Sequence, residues 1–243
     1  MHKVIILQAR LASSRFPRKV LAELCGEPVI AHIVRRLKAA KHADEVCVAI
    51  PSDAEENDLA AVLAGLDVTV CRGSGADVLG RYIQAAYQTK ADLIVRATAD
   101  NPFVSPEDID RQLAEFESDP ELDYCITEGY PLGVTVETLR LKALEKLDYL
   151  ARAANDREHV TWYLRTHPGP FAVRKLEAPK ALHHAGLSLS LDTPQDYEFV
   201  SAIYNKLCKP GHIVSLEDTL QLITQDAPLG QLARQVAALA VGA

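Results

Sequence analysis

Five short apolar runs, each followed by a stretch of helical character, constrain this chain more than any other feature. The runs are Lys3 to Leu7, Glu45 to Ile50, Asp67 to Cys71, Asp92 to Ala97 and Asp123 to Thr127. Each has strand length and is rich in branched apolar residues. The segments between them read as helices. Pro28 opens one that sets Val29, Ile30, Ile33, Val34 and Leu37 on a common face. Asp53 to Leu63 carries acidic residues in its first turn, as the helix dipole favours. Asp77 to Gln88 and Pro106 to Phe116 complete the series. Such alternation predicts an α/β fold, with a mostly parallel central sheet covered by helices on both faces.

The pattern then changes. Glu128 to Glu137 reads as a loop entering a short strand, and 140–150 and 156–165 as helices. Phe171 to Leu176 and Leu187 to Leu191 read as strands, the latter in the strict alternation LSLSLD. Pro194 opens a helix through Leu207, and two more begin near Leu216 and Leu229. No internal repeat or low-complexity linker divides the chain. We therefore expect one domain over residues 1–243. A segment at 128–180 would cover a site or join a partner, and residues 208–243 would form a helical tail.

A net charge of -7 argues against a general nucleic-acid binder. No apolar run reaches the length of a membrane span, and Arg10 interrupts the apolar N-terminus too early for a signal peptide. The five cysteines, Cys25, Cys47, Cys71, Cys125 and Cys208, are scattered without a CxxC spacing. They read as reduced thiols of a cytoplasmic protein rather than a disulfide frame or zinc site.

Against this acidic background, the loop after the first strand is locally basic. Gln8 to Leu21, QARLASSRFPRKVL, holds Arg10, Arg15 and Lys19 with Ser13 and Ser14 among them, and Pro17 forbids a continuous helix. Forked guanidinium groups and hydroxyls beyond the carboxyl end of a buried strand suit phosphates. The plain alternative is a solvated loop. Three other clusters fall at strand ends. Arg72-Gly73 with Asp77 and Arg81 offers a helix N-terminus, or merely a turn with an aspartate cap. Asp100 in ADNP suits a hard metal ion, or a turn. Asp192 in LDTP does likewise, or caps the following helix. Together they place two carboxylates and several cations on one rim, as Mg²⁺ bound to a nucleoside triphosphate requires. No GxxxxGK[ST], GxGxxG or GxSxG motif occurs. Glu158-His159 is either a general base with its partner or a polar patch on a helix face.

The motifs QARLASSRFPRKVL, RGSGADVLGRY, TADNPFVSPEDID, PLGVTVE, REHVTWY and LSLDTPQDYE, in this order, resemble cytidylyltransferases of the SpsF type. These are the spore-coat-polysaccharide relatives of the CMP-Kdo and CMP-sialate synthetases. The resemblance implies a three-layer nucleotide-diphospho-sugar transferase-like fold, with CTP and Mg²⁺. By it, Arg10 and Lys19 take the triphosphate and act in catalysis with Asp100. Gln8, Ala9, Ser13, Arg15, Arg72 and Asp77 lie on the nucleotide side. Asp100 and Asp192 bind the metal, and Glu137, Glu158 and His159 border the acceptor. The implied reaction transfers CMP from CTP to an acidic sugar or related hydroxy acid, releasing pyrophosphate. The implied assembly is a homodimer through 128–180. Sugar-phosphate nucleotidyl transfer, glycosyl transfer and non-catalytic nucleotide binding are the alternatives on such a fold. One departure bears on the acceptor. The family often reads Thr-Gly-Asp-Cys-Pro where this chain has Thr98-Ala99-Asp100-Asn101-Pro102.

Overall fold

A computed structural model describes residues 1–241 of the chain. In chain order the strands are β1 (Lys3–Gln8), β2 (Glu23–Leu24), β3 (Glu27–Pro28), β4 (Glu45–Pro51), β5 (Thr69–Gly73), β6 (Leu93–Thr98), β7 (Tyr124–Glu128), β8 (Glu137–Arg140) and β9 (Val173–Glu177). The helices are α1 (Val29–Lys38), α2 (Asn57–Leu63), α3 (Val78–Gln88), α4 (Pro106–Ser118), α5 (Leu141–Leu150), α6 (Ala154–Glu158), α7 (Trp162–Thr166), α8 (Pro194–Leu207), α9 (Leu216–Gln225) and α10 (Ala227–Val241).

Seven strands form one sheet in the order β5-β4-β1-β6-β8-β7-β9, while β2 and β3 make a separate small hairpin. β1 pairs in parallel with β4 and β6, and only β8 runs antiparallel to its neighbours. Strand one shows why both faces must be covered. Ile5 and Leu7 join a core with Val29, Ile33, Leu113 and Phe199, whereas Val4 and Ile6 face Leu79, Tyr82 and Leu144 on the other side. A centrally placed parallel strand of this kind has no solvent face and is apolar throughout. The expected α/β architecture is therefore the one observed.

Several boundaries differ from the sequence reading. The third strand begins two residues late because Asp67 takes a left-handed turn conformation, with φ of +52°. Residues 156–165 are not one helix. The chain breaks at Val160, a buried β-branched residue with φ of +49°, leaving α6 and α7 as short pieces. Leu187 to Leu191 is not a sheet strand. Ser188, Leu189, Ser190 and Leu191 are all buried, so the serines do not mark a solvent face. The segment pairs with a loop instead: Leu132 N–H donates to Leu187 O and Leu189 N–H to Leu132 O, each at 2.8 Å. Three of the five cysteines lie buried in strands, but Cys25 is exposed and Cys208 only partly buried.

Candidate active site

The basic loop is anchored at its ends and more exposed in its middle. Buried Leu11 and Val20 anchor it, and Arg18 N–H closes it on Leu11 O at 2.9 Å. The Leu11 amide is held from outside by Glu56, whose two carboxylate oxygens both lie 3.0 Å away in a buried position. The chain thus exposes Arg10 and Arg15 while tucking Lys19 inward on a single helical turn, Lys19–Leu21. These cations meet carboxylates from distant parts of the chain. Arg10 Nη2 lies 2.9 Å from Glu158 Oε1, and Arg15 Nη2 3.2 Å from Asp192 Oδ1. Lys19 Nζ lies 2.9 Å from Asp192 and 3.7 Å from Asp100, and its side chain is only 13% exposed. Burial pushes the Asp192 carboxyl up, but the hydrogen bond and charge of Lys19, with Arg15 and Ser190, outweigh it and hold the group below its ordinary range.

Asp100 and Asp192 come together through the backbone. Leu191 N–H donates to the carbonyl of Asp100 itself at 2.7 Å. Gly133 lets the neighbouring loop pass closely. It has φ of +90°, and a Cβ there would sit 2.7 Å from Ser190 N. Beyond Asp100 the chain is clamped by buried side chains. Tyr204 of α8 donates to Pro102 O at 2.8 Å, and Arg36 of α1 donates to Val104 O at 2.6 Å and Val214 O at 2.6 Å. Thr193, beside Asp192, caps α8 in a reciprocal box with Asp196. The capping role thus belongs to Thr193, and the Asp192 carboxylate turns to Lys19.

These groups line a cavity of about 550 Å³ at the carboxyl ends of β1 and β6. Of the residues expected there, the structure brings together Gln8, Ala9, Arg10, Ser13, Arg15, Lys19, Asp100, Glu137, Glu158, His159 and Asp192. Arg72 and Asp77 are not in the wall. Arg72 donates to Asn57 at 2.9 Å, while Asp77 caps α3 and is gripped by Arg157 at 2.7 and 2.8 Å. Asp77 serves as the N-cap of the plain alternative, and the place expected for it falls to its helix neighbours Val78 and Arg81.

Three arginines in the wall were not among the expected site residues. Arg81, noted in sequence but given no role, is 1% exposed and donates to Ser74 O, with its Nε left without a partner among the described residues. Arg96 comes from the middle of the apolar strand DLIVRA and pairs with Glu137. A cation inside a buried run was the signal that could have found it. Arg165 carried no such signal, because only the break at Val160 turns α7 toward the cavity. Glu137 is 5% exposed and also accepts from Tyr124 and, at 2.8 Å, from Thr161. Burial would raise its carboxyl, yet Arg96 and these hydroxyls hold it lower. A second cavity of about 290 Å³ adjoins the first and shares Arg96, His159 and Arg165 with it.

The guanidinium and ammonium groups of the basic loop suit phosphate oxygens, and two converging carboxylates beside them suit a hard divalent cation completed by phosphate oxygens. On this fold, at the carboxyl edge of a parallel sheet, that combination defines a nucleotidyltransferase of the nucleotide-sugar transferase type. The chain belongs to the cytidylyltransferase family, whose model matches residues 4–221. It is 36% identical over 211 residues to the spore coat polysaccharide biosynthesis protein SpsF of Bacillus subtilis, covering 84% of this chain and 86% of that one. It is 33% identical to a 3-deoxy-manno-octulosonate cytidylyltransferase of Chlorobium luteolum, over 77% of this chain and 73% of the other. Among solved structures, a cytidylyltransferase from Leptospira borgpetersenii superposes with a TM-score of 0.87 at 25% identity, covering 94% of this chain and 96% of that one. At the level of fold alone, a structure from Mycobacterium tuberculosis that is 18% identical, with a TM-score of 0.59 over 82% of this chain and 97% of the other, is a complex with manganese. Among the described residues, no helix is long and apolar enough to cross a membrane.

Proposed function

We propose that the protein transfers CMP from CTP to a hydroxyl of an acidic sugar or related hydroxy acid, releasing pyrophosphate. The convergence of Lys19, Asp100 and Asp192 under the basic loop carries this reading. Arg10, Arg15 and Lys19, with Ser13, would hold the triphosphate and offset charge that develops on the leaving pyrophosphate. Phosphate oxygens would draw Arg10 from Glu158 and Arg15 from Asp192, freeing carboxylate oxygens as the nucleotide seats. Asp100 and Asp192 would hold Mg²⁺, which supplies charge neutralisation at the phosphates. No covalent nucleophile is needed, since such transfers rest on positioning and charge.

The acidic class of acceptor is supported by the arginines that the rest of the cavity wall contributes. Arg165 makes no ion pair among the described residues, and it lines both cavities beside Arg96 and His159. A free guanidinium there suits an acceptor carboxylate by paired hydrogen bonds. Glu158 and His159, which line the same cavity, would take the proton that the attacking hydroxyl loses. The exposed Tyr149 and Trp162 of segment 128–180 would contribute to a homodimer, in keeping with a cytoplasmic enzyme.

Pyrophosphate release should be measured with each nucleoside triphosphate, in the presence of Mg²⁺, against a panel of keto-acid sugars and neutral sugars. CTP with an acidic acceptor should give turnover. Preference for another nucleotide would overturn the cytidylyl assignment, and preference for neutral or phosphorylated sugars would overturn the acceptor class.

A further inference from the structure

Asp108 is a fully buried carboxyl group outside the catalytic cavity, and the reaction described above does not use it. It stands in the first turn of α4, where its amide donates to Ser105 Oγ at 3.1 Å. Its side chain collects three donors. Oδ1 accepts from Thr127 of β7 at 2.6 Å, and Oδ2 accepts from Thr135 at 2.8 Å and from Gln112 at 2.9 Å. Gln112, one turn along α4 and equally buried, also donates to Val136 O at 3.0 Å and accepts from Thr138 at 2.9 Å. Just before the helix, Ser105 N–H donates to Val134 O at 2.9 Å. Among the described residues the cation paired with Asp108 is Arg111, and it stays 3.7 Å away. Burial pushes the Asp108 carboxyl up despite its hydrogen bonds. The hydroxyl and amide donors offset the cost of that burial, and the carboxyl group fixes them in return.

The stretch they fix is one that no strand ladder reaches. Residues 133–136 lie between β7 and β8 and belong to neither. Even so, Gly133, Thr135, Val136 and Glu137 line the catalytic cavity. Their order comes from α4, through side chains that do not line it. Glu137, the next residue along, pairs with Arg96, which lines both cavities and stands on the acceptor side. We propose that Asp108 is a positioning residue for the acceptor, a role that rests on the reaction proposed above. Acting through the Thr135 hydroxyl, with Gln112 holding Val136 O, it sets the wall from Thr135 to Glu137 where the acceptor meets it. Buried hydrogen bonds suit this task, because their lengths and angles are narrowly constrained and no water competes for the partners. Thr127 grips the same carboxyl group from β7 without entering the cavity wall, so it separates holding Asp108 from holding the acceptor.

The test compares the full chain with Asp108→Asn, Thr135→Val, the double variant and Thr127→Val. Asp108→Asn keeps the shape and places an amide among groups that donate to a carboxylate. Thr135→Val breaks the same bond from the wall side and leaves the buried carboxyl group in place, so the test does not depend on Asp108→Asn folding. Each should raise the acceptor KM by about tenfold and keep the nucleotide KM within about twofold of wild type. The double variant should match the worse single one, because both remove one interaction. Thr127→Val should lower the unfolding midpoint yet keep the acceptor KM within about twofold. With no substrate present, amide hydrogen exchange over residues 133–137 should quicken in Thr135→Val and stay unchanged over the basic loop. An unchanged acceptor KM in folded Thr135→Val would overturn the proposal. So would a nucleotide KM that rises in step, Thr127→Val matching Thr135→Val, or unchanged exchange at 133–137. The kinetic comparison runs on whichever nucleotide and acceptor the wild type turns over. Preference for a different pair would therefore overturn the functional reading and leave the role of Asp108 to these measurements.

Discussion

Lys19→Met tests how the site is held together before any ligand arrives. The ammonium bridges Asp192 at 2.9 Å and Asp100 at 3.7 Å, and those carboxylates are 30% and 31% exposed. With that exposure the effective dielectric lies between surface and bulk values, so each contact is worth roughly 1–4 kcal/mol before desolvation. Solvent screening and the cost of sheltering the ammonium remove more than half. The variant should lose about 1–3 kcal/mol, which for a chain of this size lowers the unfolding midpoint by about 3–10 °C. The pH dependence has a definite sign. The folded Asp192 carboxyl is held below its ordinary range, because Lys19 and Arg15 outweigh the burial that would raise it. Its stabilisation is complete above the unfolded carboxylate value of about 3.9 and is lost as pH falls through the lower folded value. The gap between wild type and variant should be full above about pH 5 and shrink below about pH 4. Thermal or urea unfolding across that range measures it. A gap that stays constant into acid, or a variant as stable as wild type at neutral pH, would refute the reasoning.

Three further outcomes are expected. Gly133→Ala forces a side chain against Ser190 at a left-handed backbone position, so it should cost about 1–3 kcal/mol and lower turnover, because Ser190 leads to Asp192; unchanged melting and activity would count against that tight passage. Glu137→Gln strips Arg96 of its charge partner in a buried setting and should cost about 3 kcal/mol at neutral pH. Because the folded Glu137 carboxyl is held low, that cost should fade as wild type is acidified through the same group, which urea unfolding at several pH values can check. Glu56→Ala releases the Leu11 amide and should destabilise by about 1–2 kcal/mol while raising KM for CTP more than it lowers kcat; an unchanged KM would show that the loop holds its shape without that carboxylate.

How much of this was legible in the sequence depended on whether the signal was local. Strands such as Val4 to Leu7 were plain because burial on both sheet faces demands a continuous apolar run. The basic loop was plain because an apolar strand passes straight into a segment that bears Arg10, Arg15 and Lys19. Leu187 to Leu191 failed because alternation was the only cue. Its serines are buried against a loop, and nothing within five residues shows that the hydrogen-bond partner is Leu132 rather than a strand. Arg72 and Asp77 carried suggestive chemistry, but their contacts with Asn57 and Arg157 draw them away from the cavity wall. Arg165 was illegible because its direction depends on a helix break at a valine, a residue that ordinarily avoids that backbone conformation.

The pair Asp100 and Asp192 shows what local chemistry can and cannot establish. The sequence argument for their meeting assumed two parallel strands of one sheet ending on a common rim. Only β6 is such a strand. The carboxylates meet because Leu191 N–H bonds to the Asp100 carbonyl, because Gly133 has no side chain to keep the loops apart, and because Lys19 draws both charges inward. Their spacing therefore rests on one backbone bond, one missing side chain and one ammonium. Sheet geometry positions only Asp100. Substitutions at Gly133 or Lys19 should consequently disturb the relation between the two carboxylates while leaving the strands intact. Far-ultraviolet circular dichroism should stay native in both variants as turnover falls.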